Sequence, residues 1–151
     1  MRDALGITGL YFPVVQLIEF IMCNPENNIG LQFEIVEAKE MPERYADTNT
    51  AHNLMRIRED CYERAVQGYH RDRFTLCHEL GHYLMHRPDR IQMARGDVPA
   101  YQSPEWQANT FAGELLVPID KIRGMSVEQI CKECGVSKEV ARIQQKQCYG
   151  I

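Results

Sequence analysis

Apolar residues recur along this chain with two different periods, and each period marks a different kind of element. Between Gly9 and Cys23 they return every three or four positions, with Val14, Leu17, Ile18 and Ile21 on one side, which predicts an amphipathic helix. From Leu31 to Glu37 they alternate, with Leu31, Phe33 and Ile35 facing one way and Gln32 and Glu34 the other, as in a half-buried strand. A weaker strand is predicted over Asn53 to Arg58 around Leu54, Met55 and Ile57, and the intervening Pro42, Asp47, Asn49 and threonines read as a loop. The helical period resumes after Asp72, a candidate cap, and runs from Arg73 to about His86, where Arg87-Pro88-Asp89 stops it. Past a loop from Gly96, Ser103 caps another helix, with Pro104 at its first position and Pro118 just beyond its end. Two short helical stretches after Gly124 flank Gly135, which stands where a tight helix–helix turn belongs.

The expected fold class is α+β: a small, mostly antiparallel sheet beside the long helices, closed by a helical tail. Residues 1–124 form the expected core and 125–151 the tail. A chain of 151 residues with 44% hydrophobic and 25% charged residues can bury an ordinary core, which excludes disorder and fibrous repetition. The net charge of -4 offers no general footprint for nucleic acid or a membrane. Pro13, Gln16 and Glu19 interrupt the apolar stretch near the start, and Arg2 and Asp3 cancel, so it reads as a helix rather than an export signal. No run is long enough to span a bilayer, and the expected location is the cytoplasm. Of six cysteines, Cys131 and Cys134 form a C-x-x-C without a second pair, in a helical setting. Reduced thiols fit that pattern better than a disulfide scaffold or a zinc knuckle.

The strongest chemical signal is His78-Glu79-Leu80-Gly81-His82. Residues four apart stand above one another on a helix, so both imidazoles can reach one zinc ion. Glu79 is placed to take a proton from the water that the metal activates, which is the zinc-peptidase pattern. This composition would produce the spacing by chance about 0.015 times. Phe74, Leu76, Leu80, Leu84 and Met85 bury the helix, so its polar side chains need partners, and a metal supplies them. Gly81 costs such a helix roughly 1 kcal/mol, which points to close approach of another backbone. The third ligand is less constrained. His86 lies about 12 Å along the axis from His78, too far to share an ion, and suits a capping or packing role. Glu105, in the first turn of the helix capped by Ser103, completes a His₂Glu set with an open position. Glu114 is the runner-up, and a plain surface glutamate favoured by the helix dipole is the bland alternative. Asn109, one turn beyond Glu105, could hold a ligating histidine's ring, while Ala108, Ala112 and Gly113 are small enough to let the two helices meet.

The run from Arg73 to His86, followed by Glu105-Trp106-Gln107-Ala108-Asn109-Thr110-Phe111-Ala112 and Glu114-Leu115-Leu116-Val117-Pro118, resembles the ImmA/IrrE family of metallopeptidases. The likeness covers Leu54 to Pro118 well, and Tyr11 to Ile35 and Gly135-Val136-Ser137 more faintly. It implies a zincin-like core, with zinc held by His78, His82 and Glu105 and Glu79 as the base. It also implies a protein substrate, a helix-turn-helix repressor encoded nearby in a mobile element or stress-response locus. Cys77 departs from the small alanine commoner at that place.

The tail supports a rival reading. Val127 through Gly135-Val136-Ser137 to Ile143 resembles a helix-turn-helix, the mark of a DNA-binding transcriptional regulator. From Ile119 to Ile151, however, six Lys/Arg stand against four Asp/Glu, a thin footprint for phosphate contacts. Direct DNA binding is therefore not expected. Cleavage would need an extended substrate laid along an edge strand of the sheet.

Overall fold

The two predicted strands pair with each other, and a third strand forms where the pattern suggests a loop. The structure is a computed structural model that describes residues 1–24, 26, 30–86 and 103–151. Its strands β1 (Gln32–Val36), β2 (Ala46–Asn49) and β3 (Leu54–Arg58) lie in the order β1-β3-β2. β2 runs antiparallel to β3, with Thr48 opposite Met55, and β1 runs parallel to it, with Phe33 opposite Met55. The sheet is thus mixed rather than mostly antiparallel. The cause is topological: the chain leaves β1, forms β2 on the far edge, and returns through a short turn to lay β3 between them. Only the β2–β3 pair is a hairpin, and β1 to β3 is a crossover.

Asp47 and Asn49 are poor strand formers, yet pairing holds β2 in place. Arg56 Nε and Nη2 donate across the strands to the two Asp47 carboxylate oxygens at 3.1 and 2.6 Å, a forked cross-strand pair. The alternation in β1 holds only at its start. Leu31 is buried and Phe33 half-buried, but Ile35 is 38% exposed and Val36 is buried instead. Among the described residues β1 is an edge strand with one lateral neighbour, so side-chain burial there follows what else covers it rather than the pleat alone.

Helix α1 (Val14–Cys23) buries Val14, Val15, Ile18 and Ile21; of the predicted face Leu17 is only half-buried, and Val15 is buried in addition. Helix α2 (Glu59–Val66) follows β3 directly, and a turn with Gly68 at φ +87° leads into α3 (His70–Met85). The expected cap at Asp72 is corrected: α3 starts at His70, and Asp72 in its first turn makes no cap. Two Arg64 nitrogens, Nη2 at 2.9 Å and Nε at 3.1 Å, take the Asp72 carboxylate instead, and Arg64 also meets Asp60 at 2.9 Å. That ion pair ties α2 to α3. Helix α4 (Pro104–Leu116) is capped by Ser103, whose Oγ accepts from the Trp106 N–H at 3.1 Å. The predicted helix stop at Arg87-Pro88-Asp89 and the loop up to Gln102 lie outside the described residues.

The α3–α4 contact explains Gly81. A Cβ there would stand 2.9 Å from the Phe111 ring and 3.3 Å from the Ala108 Cα, so only glycine lets the helices close. Gly113 has a different role from the one expected. It opens onto the Gln144 amide rather than onto α3, because one residue past Ala112 turns it about 100° off the contact stripe.

The tail comprises α5 (Val127–Cys134) and α6 (Lys138–Cys148). Ser126 and Gln129 form a capping box on α5, and Ser137 caps α6. Gly135 sits between them at φ +64°. Arg73 of α3 is wholly buried and donates from Nη1 to the Cys134 carbonyl at 3.0 Å and to that of Gly135, and from Nη2 to the Phe12 carbonyl at 2.7 Å. Burial pushes its pKa down, but the carbonyls closing α5, the negative end of that helix, stabilise the charge. Ile130, Cys134, Val136 and Ala141 share one core with Ile57, Leu76 and Leu80. No helix among the described residues is long and apolar enough to cross a membrane.

Candidate metal centre

Helix α3 stacks His78 and His82 on one face, and the first turn of α4 brings Glu105 across from them. His82 Nε2 lies 3.0 Å from His78 Nε2 and 3.1 Å from Glu105 Oε1, and His78 Nε2 lies 3.3 Å from Glu105 Oε2. Donors on a tetrahedral ion with bonds of about 2.0–2.2 Å stand roughly 3.3–3.5 Å apart, so the three side chains fit one cation. They are the one such group of His, Cys, Asp and Glu among the described residues. Asn109 Oδ1 accepts from His78 Nδ1–H at 2.9 Å, which leaves the His78 Nε2 lone pair facing the Nε2 of His82. Two nitrogens so close repel unless a proton or a cation lies between them.

The electrostatics suit a ligand set. Burial, and secondarily His78, lowers the pKa of His82 against the opposing pull of Glu105, which favours the neutral imidazole that binds metals. The two histidines are largely covered while the Glu105 side chain is 73% exposed, so the group opens toward solvent on the α4 side. Burial raises the Glu79 pKa, opposed by the Thr48 hydroxyl and by His78. Thr48 Oγ1 donates to Glu79 Oε2 at 2.6 Å. Sequence reading missed Thr48, because the strand that carries it has no apolar alternation to reveal it.

The remaining candidates fall elsewhere. Glu114 is nine residues past Glu105, about half a turn round α4, and lines a cleft with Arg2, Phe111 and Lys121. His86 closes α3, its N–H donating to the His82 carbonyl at 2.9 Å. Its ring centroid lies 5.5 Å from that of His82, and its buried Nε2 has no partner among the described residues. Cys131 and Cys134 are free thiols whose pKa values burial raises, and neither joins a metal-binding group among the described residues. Burial also pushes Cys61 and Cys77 up to about 12. A cavity of about 710 Å³ opens between α3, α4 and α6, walled by Phe74, Trp106, Val140 and Ile143. It shares Asn109 with the centre but is lined by none of His78, His82 and Glu105.

A family model described as the IrrE N-terminal-like domain, of a peptidase family, matches residues 38–144. That span takes in β2, all of α3 and α4, and most of the tail. No curated protein and no solved structure matches the chain.

Proposed function

The chain belongs to the peptidase family of the IrrE N-terminal-like domain, and from that premise we propose that it is a zinc-dependent endopeptidase with a zincin-like core that cleaves a transcriptional repressor. The observation that carries the reading is the convergence of His78, His82 and Glu105 to separations of 3.0–3.3 Å, with Glu79 on the same helix. A zinc ion held by those three side chains supplies Lewis acidity for attack on a peptide carbonyl. Asn109 fixes the His78 ring so that its Nε2 remains a lone-pair donor. Glu79 accepts a proton from the attacking water and returns it to the departing amine nitrogen. Burial, by raising its proton affinity, suits it to both transfers. The edge of the sheet at β2, unpaired among the described residues, runs beside α3, where Thr48 touches Glu79, and an extended segment can add a strand there.

The repressor assignment rests on the family resemblance, and a cytoplasmic location follows from such a substrate. Co-expression with the repressor encoded by the neighbouring gene tests it. The native chain yields two repressor fragments, whereas Glu79→Gln keeps the fold and metal and leaves the repressor intact, a loss of about 10²–10⁴ in rate. Equal cleavage by both contradicts the role of Glu79, and no cleavage by the native chain contradicts the substrate.

One observation favours the second reading, a DNA-binding regulator: Lys138, Arg142 and Lys146 are exposed at four-residue intervals along α6, one helical face. Glu139 interrupts that end of the helix, and Gln144 is buried against α4. A gel shift at moderate salt separates the readings, since the repressor-cleavage account expects no specific complex there.

A further inference from the structure

Strand β2 carries a side chain to which the peptidase reading assigns no task. Thr48 Oγ1 lies 2.6 Å from Glu79 Oε2 and 3.2 Å from the Glu79 carbonyl. A hydroxyl has one proton to give, and the shorter contact, to the carboxylate, takes it. We propose that Thr48 is a positioning residue that fixes the orientation of the Glu79 carboxylate from the edge strand.

The geometry around Thr48 makes it a stiff support. It pairs opposite Met55, which is wholly buried, so its backbone is held from the core side. Its neighbour Asp47 is clamped to Arg56 through two hydrogen bonds, which resists sliding of the strand. A β-branched side chain has little freedom at χ1. The carboxylate it holds is the opposite case, because a glutamate's terminal torsion is broad and roughly two-fold. Anchoring Oε2 to β2 therefore fixes the plane of the carboxylate and the place of Oε1. Strand and base are linked through one hydroxyl, so a substrate strand added along β2 would meet Glu79 already oriented.

The kinetic side of this inference rests on the peptidase reading, and the structural side does not. Thr48→Val removes the hydroxyl while keeping the branched shape, and Thr48→Ser keeps the hydroxyl. Crystal structures of the zinc-loaded native chain and both variants, with kinetics on a mixed library of extended peptides followed by mass spectrometry, form the test. Thr48→Val should retain the native melting temperature and one zinc per chain, with the Glu79 carboxylate rotated from its native plane. Its kcat should fall about tenfold, with KM changed less than about twofold, and Thr48→Ser should restore both the plane and kcat. A Thr48→Val protein whose Glu79 carboxylate has not moved, or whose kcat is native, overturns the proposal. So does a kcat loss that Thr48→Ser does not repair. If the native chain cleaves neither the library nor the co-expressed repressor while Thr48→Val still displaces Glu79, the peptidase reading fails and the positioning role stands.

Discussion

His78 Nδ1 and Asn109 Oδ1 lie 2.9 Å apart, across the contact that Gly81 and Ala108 allow between α3 and α4. An amide oxygen can only accept, so this contact places the imidazole proton on Nδ1 and leaves Nε2 bare toward His82 and Glu105. Glu105 and Asn109 share one face of α4, four residues apart. One helix therefore presents a candidate ligand and the group that orients another candidate ligand.

Replacing Asn109 with alanine should leave the fold intact, because the side chain is exposed, but weaken metal binding about 10- to 100-fold. Competition for zinc against a chromophoric chelator measures this. An unchanged affinity would mean that the His78 ring is held by packing alone.

Gly135→Ala should be costly. The residue sits at φ +64°, and a Cβ there would collide with Arg73 Nη1 and approach the Tyr11 ring to 2.9 Å. Left-handed backbone strain together with overpacking predicts a loss of about 2–4 kcal/mol, read from the midpoint of urea unfolding with an unchanged slope. A loss below about 0.5 kcal/mol would show that Arg73 gives way freely.

The contrast between the expected and observed elements has a physical basis. His78 and His82 on α3, and Glu105 and Asn109 on α4, stand four residues apart, a spacing that a helix converts directly into a shared face, and Ser103 with Pro104 fixes where α4 begins. β2 was not legible, because Ala46-Asp47-Thr48-Asn49 has no apolar alternation and is held by pairing with β3 and by Arg56. Thr48 was hidden with it. The parallel pairing of β1 was missed for a related reason, since strand direction depends on where β2 inserts. Asp72 reads locally as a cap, but the ion pair with Arg64 lets α3 begin earlier. Gly113 lies in a run of small residues that points to α3, and one residue of helical rotation aims it at Gln144 instead.

Acid stability should depend on Asp60. Its carboxylate takes Arg58 Nε at 2.6 Å and Arg64 Nη1 at 2.9 Å, and hydrogen bonding from Arg58, then from Arg64, holds its pKa well below the usual range. In the unfolded chain an aspartate titrates near about 3.9. The stabilisation is therefore present above that value and lost as pH falls toward the lower folded value. Melting temperatures measured between about pH 6 and pH 2 should fall less steeply for Asp60→Asn than for the native chain. Parallel curves would contradict this.

The central claim is that His78, His82 and Glu105 together hold one ion, and metal content per folded chain tests it most directly. Elemental analysis of the native protein purified without added chelator should give one zinc per chain, with that zinc lost from folded His82→Ala and Glu105→Ala proteins. Full zinc in a folded Glu105→Ala protein, or none in the native one after zinc is supplied, would contradict the account.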